Sequence, residues 1–160
     1  MYEWTNEKEK EFIKAKRFLM KDQILHPFDL NLPAKLLTNR SRLFSMGFVL
    51  LQQRDRKWHI VKCSSATLMD AQRKYAVCEI EMLGIVLAVK KCAFYLSGMK
   101  HFEIVTYHRP LLGVFQKDLP EVENRRLHQL REKINHYNFK VSYNEGKKHL
   151  VAGIRKKGTF

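Results

Sequence analysis

The stretch that decides the fold is YAVCEIEMLGIVLAVKKCAFYLSGMKHFEIVTYHRPLLGVF, residues 75–115. Apolar residues in its first half recur at helical spacing, which predicts a helix over residues 70–98. The second half predicts a strand at 101–108, ended by a polar cluster and by Pro110, which cannot continue a strand's hydrogen-bond ladder. In open α/β sheets, ligands and chemistry gather beyond the carboxyl ends of strands. That position holds Tyr107, a poor metal ligand and a poor base at neutral pH.

The elements on either side of this stretch follow from alternating apolar runs, turn residues and further helical spacing. They are a helix at 5–20 with Asn6 as its N-cap, an extended link at 26–33, strands at 34–41, 46–53, 58–65 and 139–146, a short helix from Pro110, and helices at 121–137 and 147–157. The order predicts an α/β fold whose mixed five-stranded sheet has three antiparallel strands, then two parallel additions, with helices on both faces. We divide the chain into an N-terminal helix and extended lead-in at 1–33 and one domain at 34–160.

Charge is the most informative feature of the composition. Thirty Lys and Arg against sixteen Asp and Glu give a net charge of +14. Such a surface attracts polyanions, of which nucleic acid is the commonest in cells. A soluble basic protein and a contact surface for an acidic partner are the alternatives.

The apolar stretches fall short of the ~20 residues that span a bilayer, and the three cysteines form no CxxC pair. We therefore expect an intracellular protein, nuclear or cytoplasmic, with no membrane partner.

The motifs in residues 75–115 resemble the ribonuclease H domain of gypsy-type LTR retrotransposon reverse transcriptases. That family reads Y-x-V-x-E-x-E-L-L-A-I-V-x-A-L-K-K-x-x-x-Y-L-x-G, then V-x-T-D-H-x-P-L. LHPFDLNLPAKLLTNRS (25–41) is similar to the family's lead into T-D-A-S, and KKHLVAG (147–153) to the segment that runs into V-A-D-A-L-S-R. The resemblance implies a ribonuclease H-like fold, and an activity that cuts the RNA strand of an RNA–DNA hybrid with two Mg²⁺ ions.

Four carboxylates hold those ions in the family, because bridging carboxylates offset the repulsion between two dications held ~4 Å apart. At the matching positions this chain has Asn39, Glu81, Tyr107 and Gly153, so three of the four acidic residues are replaced. Arg40 adds positive charge where the family usually has Ala. We predict that the two-Mg²⁺ site is lost, that the chain uses no metal cofactor, and that it is not an enzyme. Glu81 is then a tolerated ancestral glutamate, paired with a nearby Arg or Lys.

Two functions suit an inactive member, and residual Mg²⁺-dependent ribonuclease activity is a third. The first is a nucleic-acid-binding module for an RNA–DNA hybrid or double-stranded RNA; for any single cation the alternative is an ordinary solvated residue. The candidate contacts are Arg40, Arg42, Lys74, Arg109, Lys147, Lys148, Arg155, Lys156 and Lys157.

The second function is a protein-interaction scaffold, as in the degenerate connection domains of reverse transcriptases. Its candidate contacts are Leu43, Phe44 and Met46, which either form an exposed apolar hairpin or tuck back onto the sheet. The partner would be another protein or a larger multidomain chain. Good core signals beside lost catalytic residues favour a host-adopted copy over a decayed element, in the form of an excised domain or a small captured gene.

Overall fold

The computed structural model describes residues 5–7, 9–10, 12–13, 27–40 and 45–145. The strands are β1 (Ala34–Arg40), β2 (Ser45–Arg54), β3 (Lys57–Thr67), β4 (Phe102–Thr106) and β5 (Phe139–Tyr143). The helices are α1 (Asp70–Arg73), α2 (Val77–Lys91), α3 (Ala93–Leu96), α4 (Pro110–Gln116) and α5 (Arg125–Glu132), with a 3₁₀ turn at Leu119–Glu121. None of the helices in these ranges has the length and apolarity needed to cross a bilayer.

The five strands form one mixed sheet in the order β3-β2-β1-β4-β5. β1 pairs antiparallel with β2, and β2 with β3, whereas β4 is parallel to both β1 and β5. The predicted sheet is confirmed. Leu37 pairs with Val105 across β1 and β4, so extending this register by two residues sets Asn39 beside Tyr107.

The two faces of the sheet carry different clusters of apolar side chains. The first face packs Leu36, Leu50 and Ile104 against α2, and every described helix with buried apolar side chains buries them in this cluster. The second face carries a smaller cluster around Leu37 and Val105. The described helices that bury apolar side chains therefore all pack on the first face of the sheet. The helix predicted at 147–157 lies outside the described residues.

The long helix predicted over 70–98 is interrupted twice. α1 ends at Arg73, and α2 begins after Ala76, whose backbone is extended. The Ala76 N–H donates to Glu79 Oε2 at 3.0 Å, so a carboxylate caps a new helix at this point. A second break at Cys92 separates α2 from α3. Helical periodicity predicts the buried face of such a segment but not a break that leaves the face unchanged.

Two other helix starts differ from the prediction. The helix predicted at 121–137 begins after Asn124, whose side-chain oxygen accepts from the Arg126 and Leu127 N–H groups at 3.0 Å, and it ends at Glu132. At the N-terminus Asn6 is already helical, and the Thr5 carbonyl accepts from the Glu9 N–H. In both places a polar residue, Thr5 or Asn124, stands immediately before the first helical residue and shifts the start of the helix from the predicted position.

The lead-in segment is pinned to the sheet by a buried amide. Gln52 of β2 accepts from the Asp29 N–H at 3.1 Å through Oε1 and donates to the Asp29 carbonyl at 2.8 Å through Nε2. The polar turn predicted at 54–57 is confirmed as a hairpin, with Asp55 and Arg56 both at positive φ. Because Gln52 pairs with Ala34 at the start of β1, this hairpin lies at the opposite end of the sheet from Arg40.

Candidate functional site

Asn39 and Tyr107 meet at the carboxyl edge of the sheet, because β1 and β4 are parallel neighbours. Asn39 is exposed and Tyr107 is half-buried directly after β4. Burial raises the pKa of Tyr107, and a hydrogen bond with the Asn144 side chain opposes that rise only in part. The phenol is therefore neutral at pH 7, and the edge offers two neutral side chains where the resemblance implies two aspartates.

Glu81 lies on α2 and faces this edge from the first face of the sheet. Its Oε1 accepts a 3.1 Å hydrogen bond from Arg40 Nε, and the two side chains form an ion pair. Burial raises the pKa of Glu81 above its ordinary value, although the charge and hydrogen bond of Arg40 oppose the rise. The interpretation that Glu81 pairs with a nearby cation is confirmed, and that cation is the residue next to Asn39.

Arg40 also affects the pKa of His108, which lies just after the end of β4. Burial lowers the pKa of His108, and the positive charge of Arg40 lowers it further, so His108 is neutral at pH 7. The His108 N–H donates to Thr106 Oγ1 at 3.1 Å, which fixes the chain as it leaves β4. One strand away, the Thr38 hydroxyl is buried without a hydrogen-bond partner in the part of the chain that the structure describes.

These residues do not fit a pair of magnesium ions. Two Mg²⁺ ions held close together need several carboxylates to offset their mutual repulsion, and the described residues of the edge supply one carboxylate, which already pairs with an arginine. Across the described ranges, no three His, Cys, Asp or Glu side chains cluster closely enough to hold a metal ion. Gly153, the fourth position, lies outside the described residues.

Glu79, two residues before Glu81, has a structural role. Its carboxylate accepts from Arg126 Nη1 at 2.8 Å and from Asn124 Nδ2 at 3.2 Å, besides capping α2 through the Ala76 N–H. Burial alone would raise the pKa of Glu79, but these hydrogen bonds and the charge of Arg126 lower it below its ordinary value. The glutamate therefore joins the first turns of α2 and α5. The sequence analysis missed this role because it placed Glu79 inside one continuous helix over 70–98.

Three of the predicted nucleic-acid contacts lie within the described residues. Arg40 is partly exposed, and Lys74 and Arg109 are exposed. Arg109 follows Tyr107 by two residues, and Lys74 lies in the break just before α2, the helix whose first turns carry Glu81. Arg40 and Arg109 therefore lie at the carboxyl end of the sheet, and Lys74 lies at the N-terminal side of α2. The predicted contacts outside the described residues are Arg42, Lys147, Lys148, Arg155, Lys156 and Lys157.

Of the two alternatives for Met46, exposure for a protein contact is wrong, and packing back onto the sheet is confirmed. Met46 lies inside β2 rather than in a hairpin loop and is only 5% exposed, because it packs on α2 at Gly84. Leu43 and Phe44 lie outside the described residues. The most exposed large apolar side chain in the described ranges is instead Phe94 on α3, which is 88% exposed and lies edge-on to Tyr95.

Comparison with known sequences gives one family. The family model described as "RNase H-like domain found in reverse transcriptase" matches residues 4–104. The Tf2-3 transposon polyprotein of Schizosaccharomyces pombe is 31% identical over 153 residues. That match covers 94% of this chain and 11% of the polyprotein, so the chain spans about a tenth of the length of that relative.

Solved structures with the same fold come from viral and cellular proteins. The foamy viral protease-reverse transcriptase dRH in complex with double-stranded DNA aligns at a TM-score of 0.64 with 16% identity, over 89% of this chain and 27% of that one. The same viral protein in complex with an RNA/DNA hybrid aligns at 0.55 with 14% identity, over 92% and 20%. RNase H1 of the archaeon Halobacterium salinarum aligns at 0.51 with 13% identity, over 73% and 87%. At these identities the likeness establishes the fold.

Proposed function

The chain belongs to the family of RNase H-like domains found in reverse transcriptases, and from that membership we propose a catalytically inactive, nucleic-acid-binding member. The observation that carries the proposal is the Arg40–Glu81 ion pair. Of the four positions that match the family's metal ligands, Glu81 alone carries a carboxylate, and Arg40 pairs with it. We further propose a gypsy-type origin, a host-adopted copy that works in the nucleus or cytoplasm, and no metal cofactor.

The charge at the carboxyl edge supports the loss of hydrolysis. Two magnesium ions bring four positive charges, which carboxylates must offset. Here Arg40 neutralises Glu81, and the amide of Asn39 and the phenol of Tyr107 carry no charge. Arg109 adds a further exposed cation to the same edge. A dication approaching this edge meets a neutral to positive surface.

The same charge supports binding to nucleic acid. The chain carries a net charge of +14, Arg109 is exposed at the edge where the family's chemistry takes place, and Lys74 is exposed at the N-terminal side of α2. Foamy viral reverse transcriptase, which shares the fold, has been solved with double-stranded DNA and with an RNA/DNA hybrid. We propose an RNA–DNA hybrid or double-stranded RNA as the ligand of this chain.

Two measurements test the proposal. An RNA–DNA hybrid incubated with the protein and Mg²⁺ should stay uncut, and clear turnover would overturn the inactivity. The affinity for the hybrid, measured by fluorescence anisotropy, should fall steeply as salt rises, because bound cations release counterions from the phosphates. An affinity that is unchanged between low and moderate salt would exclude binding through a basic surface.

A protein-interaction scaffold is the second candidate, and the exposure of Phe94 favours it. Since the chain spans a small part of its polyprotein relative, the natural partner would be another domain of a reverse-transcriptase-like chain. Binding of such a domain that is lost on Phe94→Asp and is insensitive to salt would favour this candidate over nucleic acid.

A further inference from the structure

At the carboxyl edge this chain has the Arg40 guanidinium where the family holds metal ions. Replacement of metal ions by an arginine suggests how nucleic acid is bound. We infer that the Arg40 guanidinium contacts the sugar–phosphate backbone directly, in place of the metal ions, so that the hybrid binds without a divalent cation. This inference rests on the proposed nucleic-acid function and names the group that meets the ligand.

The geometry of Arg40 leaves donors for a phosphate. Arginine has five N–H donors in a planar fork, and Arg40 uses the one on Nε to bond Glu81 at 3.1 Å. The two terminal nitrogens have no hydrogen-bond partner among the residues that the structure describes, and the side chain is 26% exposed. A guanidinium held by one carboxylate at Nε presents its terminal N–H groups in a fixed direction. Those groups match the spacing of two phosphate oxygens.

The groups around Arg40 suit an anion better than a cation. His108 is neutral, and Arg109 is an exposed cation immediately after it. Glu81 is the one described carboxylate in contact with Arg40, and it is buried behind the guanidinium. A phosphate therefore approaches a guanidinium that has a neutral imidazole and a further exposed cation nearby.

The experiment measures the affinity of a short fluorescent RNA–DNA hybrid by anisotropy, with EDTA and with Mg²⁺. The wild-type protein should bind equally well in both buffers, within about twofold. Arg40→Gln should weaken binding about tenfold at low salt, as expected for loss of one charge-assisted hydrogen-bonding group. It should also reduce the slope of log affinity against log salt by about one.

Three variants make the result specific to the guanidinium. Arg56→Gln, at the hairpin on the opposite end of the sheet, is the matched control and should change the affinity less than twofold. Glu81→Gln removes the negative charge but keeps a carbonyl oxygen that can accept from Arg40 Nε, so the guanidinium stays held and the variant should bind as well as the wild type or better. If Arg40→Gln does not fold, the double variant Arg40→Gln/Glu81→Gln replaces the ion pair with two neutral hydrogen-bonding side chains and takes its place.

The outcomes separate this inference from the proposed function. A wild-type protein that fails to bind the hybrid in both buffers refutes the nucleic-acid function itself. Binding that needs Mg²⁺, or binding that Arg40→Gln and Arg56→Gln weaken equally, leaves that function standing but refutes the role of Arg40. Equal losses in Arg40→Gln and Glu81→Gln would show that the ion pair is merely structural.

Discussion

Glu79 and Glu81 are two residues apart on α2, and we predict opposite effects when each is replaced by glutamine. Glu79 accepts hydrogen bonds from Arg126, Asn124 and the Ala76 N–H, and its pKa is lowered. Glu81 is buried with one partner, and its pKa is raised. The carboxylate of Glu79 therefore stabilises the fold, whereas ionisation of Glu81 opposes it.

The magnitude for Glu79 follows from its hydrogen bonds. The glutamine carbonyl can still accept from the Ala76 N–H and from Arg126 Nη1, which both bond Glu79 Oε2, but its amide nitrogen cannot accept from Asn124 Nδ2. The bond to Arg126 also loses the carboxylate's charge, and a charge-assisted bond is worth about 1.5–3 kcal/mol. Because the Arg126 side chain is 45% exposed, water replaces part of the bond, and we take about 1.5 kcal/mol. At this chain length that lowers Tm by about 3–6 °C. Glu79→Ala also loses the cap and the remaining hydrogen bond to Arg126, so its loss should reach about 3–4 kcal/mol.

The assay is thermal unfolding followed by circular dichroism between pH 3 and pH 8. A group whose pKa is lowered by folding contributes stability above its unfolded pKa and loses it as the pH falls through the folded value. The deficit of Glu79→Gln should therefore persist from pH 8 to about pH 5 and shrink below the ordinary pKa of 4.5. A group whose pKa is raised has the reverse sign, so Glu81→Gln should be as stable as the wild type or more stable at pH 7.

Two results would refute this reasoning. Equal losses of Tm in Glu79→Gln and Glu81→Gln at pH 7 would mean that the two carboxylates have the same role. A deficit of Glu79→Gln that is independent of pH down to pH 3 would mean that its charge is not what stabilises the junction between α2 and α5.

Further predictions concern the sheet and the helices. Thr38→Val removes a buried hydroxyl that has no partner among the described residues, and should stabilise the fold by about 1 kcal/mol in urea unfolding; a lower midpoint would mean that the hydroxyl is bonded. Gly84→Ala should stabilise α2 by about 0.5–1 kcal/mol, since the new methyl group would lie 3.4 Å from the flexible Met46 sulfur. Gly113→Ala on α4, with nothing within 4 Å, is its control; a loss in Gly84→Ala alone would show that Met46 cannot move.

The sheet was predictable because its signals are local. The alternating runs at 34–41 and 46–53 and the proline at 110 mark strand and helix limits within a few residues of those observed. The interruption before α2 was not predictable from periodicity, because the apolar face continues through it. The sequence could not decide between exposure and burial for Met46, because its environment depends on pairing with β1 opposite Arg40.

The sequence by itself determined which side chains stand at the carboxyl edge of the sheet. The identities of Asn39 and Tyr107 settle whether those positions offer a carboxylate, and no packing alters that. Only the tertiary structure decided what the remaining charges do. Arg40 and Glu81 are 41 residues apart in sequence, and Glu79 and Arg126 are 47 apart. Side chains this distant in sequence come into contact only when the strands pair in register and the helices pack on the sheet. Such pairs therefore depend on how α2 packs across β1 and against α5.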